Sequence, residues 1–196
     1  MQRRDFFCLT AAAALLPQLA TAQVNQAHLL RVSNSLNGIG TMQGGFVQVG
    51  PDGDLSEGTF YMRRPGRIRF EYEPPNTTLI IADGFWVGVY DTIDNSLARF
   101  PLSETPLDLL LRDRVDLRSE GAIRSIENSE GQLRVTAVDP DAADQGSITM
   151  VFTDSTLELN QWIVVDGQGL ATTVALSGVR RNVQLDPNLF FIEDVN

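Results

Sequence analysis

Residues 67–73 read Arg-Ile-Arg-Phe-Glu-Tyr-Glu, and this stretch decides the fold class. Ile68, Phe70 and Tyr72 stand at alternate positions, and charged residues fill the positions between them. Arg64-Pro65-Gly66, just before the stretch, has the residue types of a tight turn. Because successive side chains of a strand point to opposite faces, the stretch predicts a β-strand with one apolar face and one charged face.

The same alternation and punctuation recur along the chain. Alternating apolar residues return in three further runs, at 133–137, 148–152 and 174–176. Turn signals lie at 50–53, 64–66, 83–84, 94–95, 129–131 and 166–169. Short alternating runs separated by such turns are typical of hairpins. A helix is predicted over about 25–37, and Gly38 directly after it is a stop signal. We therefore expect a mainly β (α+β) fold with a meandering antiparallel sheet.

Two runs, 79–82 and 86–90, are apolar at both odd and even positions. A strand with two apolar faces must be covered on both sides, so something other than the sheet has to lie over it. The candidate covers are the helix at 25–37 and a short segment that begins at Thr105.

The segment after Thr105 predicts a short buried helix. Thr105 suits the N-cap, Pro106 the first helical position and Asp108 the first turn. The leucines that follow are Leu107, Leu109, Leu110 and Leu111. They point to almost every side of a helix, which is typical of burial on most sides. Two turns are not stable alone, so we expect this helix to dock on the sheet.

Composition excludes several classes of function. The 196-residue chain has 25 acidic and 15 basic residues, and its formal net charge is −10. A surface this acidic repels phosphate backbones, which argues against nucleic acid as a partner. All basic residues are arginine, and a chain without lysine has no Schiff-base or Walker-type phosphate chemistry.

Residues 1–22 predict an export signal. Arg3 and Arg4 give a basic start, a short apolar run follows at 9–16, and Ala20-Thr21-Ala22 has the pattern of a cleavage site. We expect cleavage before Gln23, which leaves residues 23–196 as one exported domain. The apolar run is too short to span a bilayer, and the arginine pair resembles the twin-arginine export motif.

The residues that usually carry chemistry are scarce. His28 is the only histidine, and no nucleophile-elbow motif accompanies it. Cys8, the only cysteine, lies in the predicted leader, and no zinc spacing or calcium loop occurs. The acidic run that holds Asp139 and Asp141 is most simply a solvated loop. The absence of these motifs does not exclude an enzyme, but it favours a binding protein, and we expect no catalytic residues, metal or cofactor.

An apolar surplus remains on the predicted sheet. A concave sheet could be lined by Ile68, Phe70, Ile81, Trp86, Met150, Phe152 and Leu176. Such a surface could hold acyl chains, since each buried CH2 contributes roughly 0.8 kcal/mol. Composition alone leaves open whether these residues line a cavity or simply pack as a core against the helices.

Several short motifs follow one another in a characteristic order. They are F-x-Q at 46–48, G-x-F at 58–60, R-P-G-R-x-R-F-x-Y-x-x-P at 64–75, and D-G with an aromatic strand ending in Y-D at 83–91. This order resembles the periplasmic outer-membrane lipoprotein carrier family of Gram-negative bacteria, the LolA family. Thr105-Pro106-Leu107 with the leucines after it resembles the lid helix of that family, and residues 185–190 resemble its closing segment.

The resemblance implies an unclosed, strongly curved antiparallel β-barrel with short helices that form a lid over an apolar cavity. To the lining residues above it adds Phe46, Phe60, Tyr72 and Val174. In the family, the arginine before the proline holds the lid shut through hydrogen bonds to lid carbonyls. Arg64 occupies that position, and a guanidinium with five donors suits carbonyls left unpaired at a helix end.

The implied function is that of a monomeric periplasmic chaperone without a cofactor. It would bind the acyl chains of outer-membrane lipoproteins released by an inner-membrane ABC transporter and deliver them to an outer-membrane lipoprotein receptor. Three alternatives stay open. They are a related lipid-binding or envelope-sensing domain of the same fold, a carrier that is also the outer-membrane acceptor, and a periplasmic hydrolase with a β fold.

Overall fold

The computed structural model describes residues 16–118 and 122–192. In these residues the helices are α1 (Leu16–Asn37) and α2 (Asp108–Leu111), and 3-10 turns cover Leu102–Glu104, Ala143–Gln145 and Pro187–Phe190. The strands are β1 (Thr41–Val49), β2 (Leu55–Arg63), β3 (Arg67–Tyr72), β4 (Thr78–Asp83), β5 (Trp86–Asp91), β6 (Ser96–Pro101), β7 (Ile123–Ser129), β8 (Gln132–Ala137), β9 (Gly146–Thr153), β10 (Leu159–Asp166) and β11 (Ala171–Arg181). The helix expected over 25–37 lies within α1. Residues 1–15 of the predicted export signal lie outside the described residues, and the signal stays a prediction.

The strands form one antiparallel sheet in the order β6-β5-β4-β3-β2-β1-β11-β10-β9-β8-β7. The chain meanders from β1 to β6 and again from β7 to β11, and the pairing of β1 with β11 joins the two halves. Each of the six turn signals falls between two consecutive strands. Because β6 and β7 are the two edges of this sheet, it does not close, and the mainly β antiparallel fold is confirmed.

Aromatic contacts show how strongly the sheet curls. Phe70 on β3 and Trp162 on β10 are four strands apart in the sheet, which would separate them by about 19 Å if the sheet were flat. Their ring centroids are only 6.2 Å apart, and Phe60 on β2 lies 6.5 Å from the same Trp162 ring. The face that carries these rings is therefore concave.

The strand register corrects two of the predicted cavity residues. Phe70 faces the concave side, so its neighbour Arg69 faces the convex side. Ile81 lies opposite Arg69 on β3 and opposite Gly88 on β5, and directly opposite residues share a face. Trp86 stands two positions before Gly88 and shares that convex face. The expectation that Ile81 and Trp86 line the concave face is wrong. A run that is apolar at every position does not indicate which alternate side chains face the concave side.

The C-terminal segment covers the convex face over β3 to β5. Phe190 is buried there, and Arg69 Nη1 donates a hydrogen bond to the Leu189 carbonyl at 3.2 Å. Ile192 lies so close to β5 that a Cβ added at Gly88 would be 3.3 Å from its Cγ2. Both faces of β4 are thus covered, as the apolar runs required. The C-terminal segment was not among the two candidate covers that the apolar runs suggested, which were the helix at 25–37 and the segment after Thr105.

Replacing Phe60 with alanine tests whether the concave face is packed as a core. Phe60 is fully buried against Phe70 and Trp162, so we expect the free energy of unfolding to fall by about 3–5 kcal/mol in urea titrations. Ile93→Ala, at an exposed turn, is the control and should change it by less than about 0.5 kcal/mol. A loss below about 1 kcal/mol for Phe60→Ala would show that this face is loosely filled.

Candidate functional site

Residues 102–117, called the lid segment from here on, lie over the concave face between β6 and β7. Leu109, Leu110 and Leu111 are buried in the same apolar cluster as the side chains of the concave face, and Leu107 packs against that cluster. The leucine pattern thus forms a docked helix. The rest of the segment continues past α2 as extended chain to Leu117, which is also buried.

The lid helix begins later than the sequence suggested. Thr105 does not act as its N-cap, because the Thr105 hydroxyl donates to the Leu102 carbonyl at 2.8 Å. Leu107 occupies the N-cap position and makes no side-chain capping bond. Thr105 therefore closes the preceding 3-10 turn, the buried Pro106 follows it, and α2 is a single turn from Asp108.

Nine of the eleven predicted cavity residues lie together beneath the lid segment. They are Phe46, Phe60, Ile68, Phe70, Tyr72, Met150, Phe152, Val174 and Leu176. Sequence reasoning missed Trp162, the largest of the buried side chains. Its alternation with Val164 along β10 is the signal that could have found it.

Lid and helix side chains fill this concave face. Leu29, Val32 and Leu36 of α1 belong to the same continuous cluster as the lid leucines and the nine residues below them. The expected cavity is therefore occupied by the protein's own side chains in this closed state. A ligand could reach the concave residues only if the lid segment moved.

One polar group lies at the margin of the apolar cluster. The Tyr72 hydroxyl donates to Gln48 Oε1 at 2.7 Å. Burial raises the pKa of Tyr72 to about 12, and the hydrogen bond to Gln48 offsets this only in part. The phenol thus stays neutral and adds no charge to the concave face at physiological pH.

Arg64 joins the end of α1 to the end of the lid helix. Its Nη1 donates to the Leu36 carbonyl and its Nη2 to the Arg112 carbonyl, with longer contacts of 3.4 Å from Nη2 to Asn37 Oδ1 and the Asp113 carbonyl. Carbonyls at helix ends lack partners within the helix, so a guanidinium fits them well. Burial lowers the pKa of Arg64, although an arginine stays charged at neutral pH. The arginine thus lies where the resemblance expected it; its role as a latch stays a prediction.

Further hydrogen bonds hold the chain that follows α2 against α1. Asn37 Nδ2 donates to the Val115 carbonyl and Asn37 Oδ1 accepts from the Val115 N–H, both at 2.9 Å. The buried Ser33 Oγ accepts from the Leu117 N–H at 3.0 Å. In addition, the Gly66 N–H donates to the Leu111 carbonyl at 2.8 Å. Sequence reasoning missed these contacts, because their partners are backbone atoms.

Arg112 forms an ion-pair cluster on the outside of the lid segment. Its Nη2 donates to Asp108 Oδ2 at 2.6 Å and to Asp139 Oδ2 at 2.7 Å. Hydrogen bonds from Arg112 and from the Asp141 backbone N–H lower the pKa of Asp139. The interpretation of the acidic run as a solvated loop is therefore wrong for Asp139, which ties the β8–β9 loop to the lid segment.

Other kinds of site find little support in the part of the chain that the structure describes. Residues 16–118 and 122–192 contain no group of three or more His, Cys, Asp or Glu side chains arranged to hold a metal ion. His28 is half-buried on α1. None of the described helices combines the length and the hydropathy that crossing a bilayer requires.

Asp139→Asn should remove a contribution to the free energy of unfolding that depends on pH. Since the pKa of Asp139 is lower in the folded state, its ion pair stabilises the fold above about pH 4 and is lost as the pH falls through the lowered pKa. We expect Asp139→Asn to reduce the free energy of unfolding by about 0.5–1 kcal/mol at pH 7, measured in urea, with the difference shrinking as the pH falls through the lowered pKa. Asp141→Asn in the same loop is the matched control. An equal loss for both variants would contradict the assignment.

The chain is similar in sequence to proteins described as outer-membrane lipoprotein carriers. The outer-membrane lipoprotein carrier protein of Halorhodospira halophila is 31% identical over 191 residues, which are 92% of this chain and 87% of that protein. The protein of the same name from Methylococcus capsulatus is 27% identical over 188 residues, 90% of this chain and 89% of its own length.

Solved structures agree on the fold. A putative outer membrane lipoprotein-sorting protein domain from Vibrio parahaemolyticus superposes with a TM-score of 0.53 at 9% identity, covering 85% of this chain and 97% of that domain. A DUF1329 family protein from Desulfovibrio piger gives 0.54 at 12% identity, covering 86% and 96%. Identities this low establish similarity of fold alone.

The family model described as outer membrane lipoprotein carrier protein LolA matches residues 37–193. This span contains all the strands of the sheet, the lid segment and Arg64. The chain therefore belongs to the LolA family of outer membrane lipoprotein carrier proteins.

Proposed function

We propose that this protein is a non-enzymatic periplasmic carrier that holds the acyl chains of lipoproteins against its concave face and delivers them to the outer membrane. One observation carries the proposal: an apolar concave face, with the Tyr72–Gln48 pair at its margin, is covered by a separate leucine-rich segment that hydrogen bonds hold in place. Membership in the LolA family supports the general role of a lipoprotein carrier.

Acyl-chain binding would exchange one set of apolar contacts for another. In the closed state, Leu109, Leu110 and Leu111 bury the concave face and are buried by it. An acyl chain that takes their place recovers roughly 0.8 kcal/mol for each CH2 it buries. Opening therefore costs little net free energy when a chain is present, and transfer depends on differences in affinity between successive carriers.

Arg64 would set how strongly the closed state competes with the cargo. Its hydrogen bond to the Arg112 carbonyl exists only while the lid segment lies against Arg64, and its hydrogen bond to the Leu36 carbonyl ties the same guanidinium to α1. The apparent affinity of a site decreases when a smaller fraction of the molecules has the site open. A latch that stabilises the closed state therefore weakens cargo binding and helps release.

The proposal includes the donor and the acceptor of the cargo. An inner-membrane lipoprotein-releasing ABC transporter would load the carrier, and an outer-membrane lipoprotein receptor would unload it. The predicted export signal with Arg3-Arg4 would bring the chain to the compartment between them. The names of the relatives support the cargo class, since they are described as lipoprotein carriers.

The two tryptophans allow a direct test of acyl binding. Trp162 lies in the concave cluster, whereas Trp86 lies half-exposed on the convex face. We expect a brominated fatty acid to quench the fluorescence of Trp162 saturably in the Trp86→Phe variant, because the heavy atoms reach the concave face. In Trp162→Phe, the remaining Trp86 should be quenched only weakly. Equal quenching of both variants, or no saturable quenching of Trp162, would refute acyl binding at this face.

Arg64→Leu should bind cargo but release it slowly. A hydrogen bond to a charged group contributes about 1.5–3 kcal/mol, so loss of the latch should slow release of a bound fluorescent fatty acid about tenfold or more. The measurement is stopped-flow transfer of the probe to cyclodextrin. Arg63→Leu, in the same hairpin but outside the latch, is the matched control and should release at the wild-type rate. Unchanged release by Arg64→Leu would remove the latch from the mechanism.

A further inference from the structure

Aromatic side chains protrude from the convex face close to the lid segment. Phe85, at the β4–β5 turn, is 80% exposed, Phe191 is 62% exposed and Trp86 is 48% exposed. Phe85 and Phe191 flank a groove of about 340 Å³ that also contains Arg63 and Arg67. We call these five residues the aromatic–arginine patch.

The patch carries positive charge on a chain of net charge −10. Arg63 and Arg67 lie opposite each other at the ends of β2 and β3, and neither forms an ion pair within residues 16–118 and 122–192. Asp83 lies opposite Arg67, but its Oδ1 accepts the Phe85 and Trp86 N–H groups at 2.8 Å and so holds the turn that presents both rings.

The patch adjoins the lid segment directly. The Leu102 N–H, at the start of the lid segment, donates to the Phe85 carbonyl at 2.9 Å. A second depression of about 300 Å³ runs from Phe85 and Gly66 to Arg112 and Asp113 at the end of the lid helix. Two carboxylates, Asp108 and Asp113, line this depression. Asp108 pairs with Arg112, whereas Asp113 forms no ion pair within residues 16–118 and 122–192. Whatever binds the patch is therefore next to the place where the lid segment opens.

We propose that the aromatic–arginine patch docks the protein on an anionic phospholipid surface while cargo passes under the lid segment. This inference rests on the proposed carrier function. Aromatic side chains favour the interfacial region of a bilayer, and arginines near an anionic surface are attracted to its headgroups. Phe85, Trp86 and Phe191 are each about half exposed or more, so their rings can insert singly among headgroups, as interfacial aromatic side chains do.

Vesicle flotation tests this proposal. The probes are vesicles of pure phosphatidylcholine and vesicles with one third phosphatidylglycerol, mixed with the purified full chain at low salt. We expect the wild type to bind the anionic vesicles preferentially. Arg63→Gln/Arg67→Gln should lower that binding about tenfold and abolish the preference. Phe85→Ser/Phe191→Ser should weaken binding to both kinds of vesicle, since the rings insert regardless of headgroup charge.

Matched controls separate the patch from general stickiness. Leu55→Ser removes an equally exposed apolar side chain elsewhere, and Arg124→Gln removes an exposed arginine of β7. Both should bind vesicles like the wild type. All variants share one N-terminus, so residues 1–22 contribute equally to each. The docking proposal is overturned if the patch variants float like the wild type, or if the controls lose binding to the same extent as the patch variants. It is also overturned if the wild type does not bind the vesicles, which is the result expected of a patch that binds an acidic protein.

Fatty-acid quenching of Trp162 is recorded in parallel with Trp86→Phe, in which Trp162 is the remaining tryptophan. Saturable quenching in this variant without flotation of the wild type would overturn membrane docking while the proposed carrier function stands. No saturable quenching in this variant would instead remove the carrier function on which the docking proposal rests.

Discussion

A sheet that curls without closing leaves an apolar concave face that its own strands cannot cover. In this protein α1 and the lid segment supply the missing cover, and their leucines are buried in one cluster with Phe60, Phe70 and Trp162. This burial is the main favourable term in the free energy of folding. Because the cover consists of segments outside the strand ladder, it can move without breaking any strand pairing.

The contacts that hold the cover are weaker and of another kind. Arg64, Asn37 and Ser33 bind backbone atoms of the lid segment, and Arg112 binds two carboxylates. Each ordinary hydrogen bond contributes about 1 kcal/mol, which is small beside the burial of several leucines. The apolar contacts therefore keep the molecule folded. In the proposed mechanism the polar contacts adjust the balance between closed and open states, and an acyl chain replaces the apolar contacts but not the polar ones.

Sequence patterns predicted the buried face of a strand best where apolar and charged residues alternate. In 67–73 the alternation of apolar and charged residues assigned Ile68 and Phe70 to the buried face correctly. In 79–82 and 86–90 every position is apolar, so Ile81 and Trp86 were assigned to the wrong face. The prediction that Thr105 is the N-cap was wrong for a related reason. A hydroxyl before a short helix can form a hydrogen bond either with the helix or with the turn that precedes it.

By itself, the sequence determined the meander of short strands, the turns between them, the buried leucine segment and the position of Arg64 just after β2. Local pattern suffices for these, since periodicity and turn chemistry act over a few residues. Only the tertiary structure decided that Asn37 meets Val115, that Asp139 meets Arg112, and that the C-terminal segment covers the convex face. These contacts join residues far apart in the chain, often through backbone atoms that every residue possesses, so no pattern of side chains announces them.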